Sequence, residues 1–329
     1  MVTPTKSLTR KIFTMLTGLL FGGIFIWLAM RNVDVEKVRE ILSNDLQPPA
    51  AIFALLCYLC YFWVKSHRWH LLLKPILHIK PKTLFPYIML GYLGNLIVPF
   101  QLGEAYRGYR LSKARPISIT SSLSTIFLEK VLDIFMVLSF VVLALTLSDF
   151  QSPSLRVFEL SVVWGFAALT IFVVAILLKP ENSTKLGTRL LSVFPDTGIF
   201  NTFYYLLARV IEGLSVLESG RHAMGAMSAT AVAWLLMLAT LYLSLMSVGI
   251  EPTVPMSAAI LFLSVIGLTL PTSPGYVGTI QLAFVFGAQP FGISQESALA
   301  ASVFYNTLIV IPPAVIGLFC LPSLRRNRS

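Results

Sequence analysis

Along the chain, apolar residues fall into long runs separated by short polar pieces. A helix rising 1.5 Å per residue needs about 20 apolar residues to cross a hydrocarbon core of about 30 Å. Six runs are of that order, over approximately 12–30, 48–64, 119–147, 157–178, 223–249 and 298–321. Two further regions, 84–115 and 255–289, are apolar halves interrupted by glycine and proline. The interruptions are Gly94-Asn95-Leu96-Ile97-Val98-Pro99 and Leu270-Pro271-Thr272-Ser273-Pro274-Gly275. The pattern predicts an all-α polytopic membrane protein, a single integral domain over 1–329. It would have about six full transmembrane helices and two re-entrant helical hairpins.

Positive charge tests this layout, because short cytoplasmic loops carry excess Lys and Arg. With both broken regions read as hairpins, 20 of the 25 Lys and Arg fall on one side, at the two ends and in 65–83, 104–118 and 179–222. Only Arg31, Lys37, Arg39 and Arg156 fall on the other, and Lys130 lies inside a span. If just one broken region crossed completely, every later loop would change sides and the bias would collapse. Both termini are therefore predicted to be cytoplasmic, in the cell inner (plasma) membrane. The first hairpin then opens to the cytoplasm and the second to the outside, an inverted-repeat-like arrangement. Pro99–Gly103 and Pro271–Gly275 share a P-x-x-x-G spacing. Paired interrupted helices in corresponding halves are a pointer to a midplane site in transporter-like folds.

Composition narrows the function classes. The chain is 56% hydrophobic and 12% charged, about half the roughly 25% charge of a soluble domain, with a mean hydropathy of +0.79. This excludes an ordinary cytosolic enzyme. The net charge of +10 sits at the ends of apolar runs rather than on one soluble face, which argues against nucleic acid as a partner. Met1–Met30 has the layout of a secretion signal, but its apolar stretch has spanning length and no small-x-small site precedes Arg31, so it reads as a retained first helix. Cys57, Cys60 and Cys320 lie in apolar runs and read as packing; the C-x-x-C spacing of the first two lacks the electropositive, exposed setting of redox use. The stripe Phe200, Phe203, Leu207, Val210, Leu214 and Leu217 predicts an amphipathic cytoplasmic helix over 199–219, or a linker helix packed on the bundle. Asn182-Ser-Thr is a glycosylation sequon by pattern; on the cytoplasmic side it would be silent.

An ionisable group inside a span costs about 2.5–3.5 kcal/mol on insertion scales, so it needs a partner or a purpose. Glu129, Lys130 and Asp133 incur that cost together. Glu129 and Asp133 lie one turn apart on one helix face. They read either as an ion network around Lys130 that clamps helices or as a coupling site. A second cluster, Glu104, Arg107 and Arg110, follows the first break. A half-helix starting near Gln101 would aim its N-terminal N–H groups into the membrane with Arg107 about two turns along, an arrangement suited to an anion. The planar fork of Arg suits phosphate. Lys113 and Arg115 read as topology charges. At the second break Ser273 is placed to cap a helix with Pro274 first, and Gly275 and Gly278 would permit close approach by a ligand or a neighbouring helix. Gln281, Tyr305 and Asn306 are polar neighbours, as helix–helix hydrogen bonds or ligand contacts. His67 and His70, among Lys65, Arg68 and Lys74, read as a basic interface. No cofactor or metal is expected.

Three ordered motifs carry a family resemblance: Asn95-Leu-Ile-Val-Pro99-Phe-Gln-Leu-Gly103-Glu104-Ala-Tyr-Arg107, Glu129-Lys130-x-x-Asp133, and Pro271-Thr-Ser-Pro274-Gly275-Tyr-Val-Gly278. Together they resemble the lysylphosphatidylglycerol synthase transmembrane-region family, a flippase-like domain. The chain departs from that family's pattern at Gln101 and Lys130, where Arg is usual, at Tyr276, where Gly is usual, and at Gln281, where Glu is usual. The resemblance implies a stand-alone translocation module without an aminoacyl-transferase domain, moving an anionic phospholipid or lipid-linked phosphate between leaflets. The substrate-binding residues would be Asn95, Pro99, Gly103, Glu104, Arg107, Pro271, Ser273, Gly275, Gly278 and Gln281. Glu129, Lys130 and Asp133 would set the field or carry a coupling proton. Two alternatives stand beside it: a membrane-embedded transferase on a lipid-linked sugar or phosphate, with Glu129 and Asp133 on a divalent metal, and a non-transporting partner of a lipid-modifying enzyme. The expected partners are membrane lipids with anionic head groups, with a second copy of the chain or a lipid enzyme as a further partner.

Overall fold

The computed structural model describes residues 20–31, 33–98, 101–146, 164–167, 170, 220–269 and 273–326. Among these every regular element is helical. In chain order they are α1 (Leu20–Met30), then α2 (Val35–Asn44), α3 (Pro48–Leu73), α4 (Pro81–Ile97), α5 (Leu102–Ala114), α6 (Ile119–Thr146), α7 (Gly220–Met246), α8 (Val254–Thr269), α9 (Thr279–Ala288) and α10 (Gln295–Arg326). Among the described residues, three stretches are long and apolar enough to cross a membrane: α3, Met224–Met246 within α7, and Gln295–Leu324 within α10. Their exposed side chains are those of a surface made for hydrocarbon, with Ile52, Leu318 and Phe319 among them. The 28-residue α6 carries the three ionisable residues anticipated inside a span. The predicted span 157–178 and the amphipathic segment 199–219 lie outside the described residues, except for 164–167 and 170, which are helical. Pro99 and Pro271 also lie outside them.

One boundary differs from expectation for a physical reason. The second apolar run looked finished at residue 64, where Lys65, His67, Arg68 and His70 begin, yet α3 continues to Leu73. Trp69, Leu72 and Leu73 carry the apolar face on, and Lys65, Ser66 and Arg68 are buried with them. Two of the charges that seemed to mark a cytoplasmic loop are therefore interior.

The chain clusters into two compact units. One holds residues up to Phe62, Ile88–Arg107 and everything from Leu235; the other holds Trp63–Tyr87 and Gly108–Trp234. In the first unit both interrupted regions fold back on themselves. The end of α4 lies against the start of α5 so closely that a Cβ on Gly103 would stand 2.0 Å from the Gly91 carbonyl, and one on Gly94 would stand 2.7 Å from the Gly103 Cα. Glycine is required there because backbone, not a flexible side chain, blocks the space. In the same way α8 and α9 pack antiparallel: a Cβ on Gly267 would meet Thr279, and one on Gly287 would meet Ile260. With 17, 13, 16 and 10 residues in α4, α5, α8 and α9, each half falls short of the roughly 20 residues of a full crossing. The first unit also seats α2 on α10, around Val38, Leu299 and Ala300.

In the second unit the later part of α3 packs with α6 and α7. Trp69 Nε1 donates to Thr125 Oγ1 at 3.0 Å, Ser66 Oγ donates to the Pro81 carbonyl at 2.7 Å, and Gly225 admits Leu71.

Candidate functional site

The first unit brings the two breaks together. Gln101, in the first break, donates its Nε2 to the Leu268 carbonyl, in the last turn of α8 before the second break, at 3.4 Å. Gln101 and Tyr276 are the non-glycine residues with positive φ among the described residues, at 52° and 63°, one in each break. Such a conformation costs on the order of 1 kcal/mol or more and tends to occur at functional sites. The half-helix expected near Gln101 begins at Leu102. Glu104 occupies its first turn, where a negative charge complements the dipole. Arg107 Nε lies 2.7 Å from Glu104 Oε2, and both side chains are buried. The charge of Glu104 also reaches Tyr92 and Tyr276. Asn95, one turn beyond Tyr92 on α4, is buried, and its Oδ1 has no hydrogen-bond partner among the described residues. Asn95, Gly103, Glu104 and Arg107 are thus one constellation, with Tyr92 and Tyr276 added to it by the fold.

The second break corrects the cap expected at Ser273. Ser273 precedes only the three-residue 3-10 turn Pro274–Tyr276 and makes no side-chain cap; its hydroxyl donates to the Val277 carbonyl at 2.6 Å. The longer helix α9 starts at Thr279. Gln281 closes that start, its Oε1 accepting the Gly278 N–H at 2.6 Å, so it caps its own helix rather than bridging two. Gly278 approaches a helix and not an open space: a Cβ there would lie 2.3 Å from the Gly22 carbonyl of α1. Gly275, at φ +70°, has nothing nearer to its missing Cβ than Val310 at 4.0 Å. Tyr305 packs its ring on Phe284, 5.3 Å between centroids.

The other charged cluster is in the second unit, and its centre is not the expected one. The cation hydrogen-bonded to both Glu129 and Asp133 is Arg68, and Lys130 adds its charge at Asp133. Arg68 donates from Nε and Nη2 to Glu129 Oε1 at 3.1 and 2.7 Å, and from Nη1 to Asp133 Oδ1 at 2.5 Å. Longer contacts reach Asp133 Oδ2 at 3.3 Å and Thr230 Oγ1 at 3.4 Å. Trp234 Nε1 donates to Asp133 Oδ1 at 2.8 Å. Lys65 and Lys130 act on Asp133 electrostatically. Helices α3, α6 and α7 are joined by charge-assisted bonds with almost no exposed area at Arg68 or Glu129. Sequence reasoning placed Arg68 in a basic loop. The signal that could have found it is arithmetic: two buried acids beside one lysine leave a net negative charge that another cation must balance. Because both carboxylates face Arg68, they are not presented as a pair of ligands for a divalent ion.

The family model described as "Lysylphosphatidylglycerol synthase TM region" matches residues 15–317. The glycosyltransferase AglD of Haloferax volcanii is 26% identical over 92% of this chain and 53% of its own length, so the chain spans about half of that relative. A UPF0104 membrane protein of Methanocaldococcus jannaschii is 21% identical over 94% of both chains. The phosphatidylglycerol lysyltransferase of Bacillus subtilis is 28% identical over 28% of this chain and 11% of its own. With the apolar helices above, these matches make the chain a multi-pass membrane protein.

Proposed function

The chain belongs to the lysylphosphatidylglycerol synthase transmembrane-region family, and from that premise we propose that it moves an anionic phospholipid or lipid-linked phosphate between leaflets. The observation that carries this reading is the junction of the two breaks through Gln101 and the Leu268 carbonyl, beside the buried Glu104–Arg107 pair. Interrupted helices whose free backbone groups turn toward a shared site near the midplane are the arrangement by which many transporters hold a charged group at depth. The hairpins enter from opposite leaflets, both termini are cytoplasmic, and the membrane is the plasma membrane. The head group enters between the hairpins while its tails stay in lipid. Arg107, already paired with a carboxylate, exchanges Glu104 for the phosphate; until then the internal acid balances the charge of the guanidinium and orients it. Asn95, Gly103, Ser273 and Gly275 line the approach, and Gly278 and Gln281 hold the second break in shape.

The test is scrambling of fluorescent lipids in proteoliposomes. Arg107→Ala removes charge-assisted bonds of about 1.5–3 kcal/mol and is expected to slow exchange by about 10- to 100-fold. Wild-type and variant rates both equal to empty liposomes, across anionic lipids, would refute the reading.

A second reading is favoured by the coverage of two relatives named as transferases, each matched over only part of its length. On that reading the chain is the membrane part of a lipid-modifying assembly, and it co-purifies with an enzyme while moving no lipid alone.

A further inference from the structure

Helix α10 carries a proline pair, Pro312 and Pro313, in its interior. Pro313 has no N–H, so the Ile309 carbonyl four residues earlier loses its helical donor. Ile309 is buried, where an unserved carbonyl is costly. Two hydroxyls from other helices reach it: Tyr58 of α3 and Tyr92 of α4, each at 3.1 Å. The same hydroxyls are 2.6 Å apart. Two protons therefore serve three contacts, and one contact is always left without a proton. An aromatic cluster holds the pair in place, with Phe62 edge-on to both Tyr58 and Tyr92 at 5.0 Å. Close to that carbonyl, Leu308, Ile311 and Pro312 of α10 and Ala51, Ile52 and Leu55 of α3 line an apolar groove of about 300 Å³. The groove opens to the surface between α3 and α10, with Ile52 and Ile311 exposed, and leaves α10 room to move on that side.

We propose that α10 hinges at Ile309–Pro313 and that Tyr58 and Tyr92 form a redundant hydroxyl latch on the hinge carbonyl, holding α10 against α3 and α4. The latch reaches the candidate site, because Tyr92 lies one turn from Asn95 on the first hairpin. Releasing it frees α4 and lets α10 bend at the proline pair relative to α3, beside the groove. Because either tyrosine alone serves the carbonyl, loss of one hydroxyl is tolerated and loss of both is not. The inference does not depend on which lipid is moved, or on whether one is.

The experiment uses the protein's own cysteines. Cys57→Ser leaves Cys60 on α3 and Cys320 on α10, seven residues beyond Pro313. Spin labels on these two report the α3–α10 distance distribution by pulsed electron resonance, with thermal melting measured in parallel. Tyr58→Phe and Tyr92→Phe, each alone, are expected to keep the parent distribution and to lower Tm by less than about 2 °C. The double variant is expected to show a second distance population and a larger fall in Tm than the two single changes summed. Pro313→Ala returns an N–H to the Ile309 carbonyl, so on the double background it is expected to restore the single population and the Tm. The latch is overturned by a double variant that matches the parent in both readouts. It is equally overturned by a single change as damaging as the double, or by a double defect that Pro313→Ala does not repair. A double variant too unstable to label is still decided by that rescue.

Discussion

Arg68 and Arg107 are both buried arginines paired with carboxylates, and they sit in opposite kinds of environment. Arg68 spends its guanidinium on Glu129, Asp133 and Thr230, which are drawn from two other helices. Arg107 takes its carboxylate from its own helix, three residues back, beside a break that includes a residue at positive φ. A guanidinium bound on every side to distant elements has no capacity left for a ligand and ties those elements together. One paired within a single turn, next to an interrupted helix, would on the proposed reading exchange that carboxylate for a ligand without parting one helix from another. Buried charge alone therefore does not mark the site; the reach of its partners separates scaffold from candidate machinery.

The largest expected effect comes from breaking the scaffold side. Arg68→Ala leaves Glu129 and Asp133 buried without their cation and is expected to destabilise the protein by about 3–5 kcal/mol, read as a loss of Tm and of folded yield in detergent. Adding Glu129→Gln and Asp133→Asn should recover part of the loss. If Arg68→Ala instead melts like the wild type and only slows lipid exchange, the contrast between the two arginines is wrong. Next is Trp234→Phe, which removes one donor from Asp133 while keeping an aromatic ring. A hydrogen bond to a charged group contributes about 1.5–3 kcal/mol, so Tm should fall with lipid exchange per folded molecule unchanged. The smallest effect on stability is expected in the hairpin, where Gln101→Gly removes the 3.4 Å bond to the Leu268 carbonyl, about 0.5–1.5 kcal/mol, while glycine accepts the positive φ. Unlike the other two, it should reduce exchange by more than the lost folded fraction accounts for. Exchange that merely tracks folded protein would remove the hairpin from the site.

Much of the helical layout is legible in the pattern of apolar residues. The breaks after Ile97 and Thr269 lie where glycine and proline interrupt the runs, and the stop-and-start of α4, α5, α8 and α9 follows them. Asn95, Gly103, Glu104 and Arg107 are legible together because their spacing is local. Other features were misread because polar side chains inside an apolar helix look like its end. That is how α3 seemed to stop before Lys65, and how Arg68 was taken for a loop cation. Ser273 followed by Pro274 has the signature of a helix start, yet Gly275 and Tyr276 both adopt positive φ, which breaks the helix again before Thr279.

The amino-acid order by itself determined that the chain is helical and membrane-bound, where its helices are interrupted, and that charges had to be buried within it. These follow from hydrophobic periodicity and backbone chemistry, which act over a few residues. Tertiary structure alone decided which partners those groups find: Arg68 with Glu129 across 61 positions, Gln101 with Leu268 across 167, and Tyr58 with Ile309 across 251. A buried charge, a helix-end carbonyl or a carbonyl orphaned by proline announces in sequence only that it needs a partner. Which side chain meets that need depends on which helices pack side by side, and that is set by the summed shape and burial of whole helix faces.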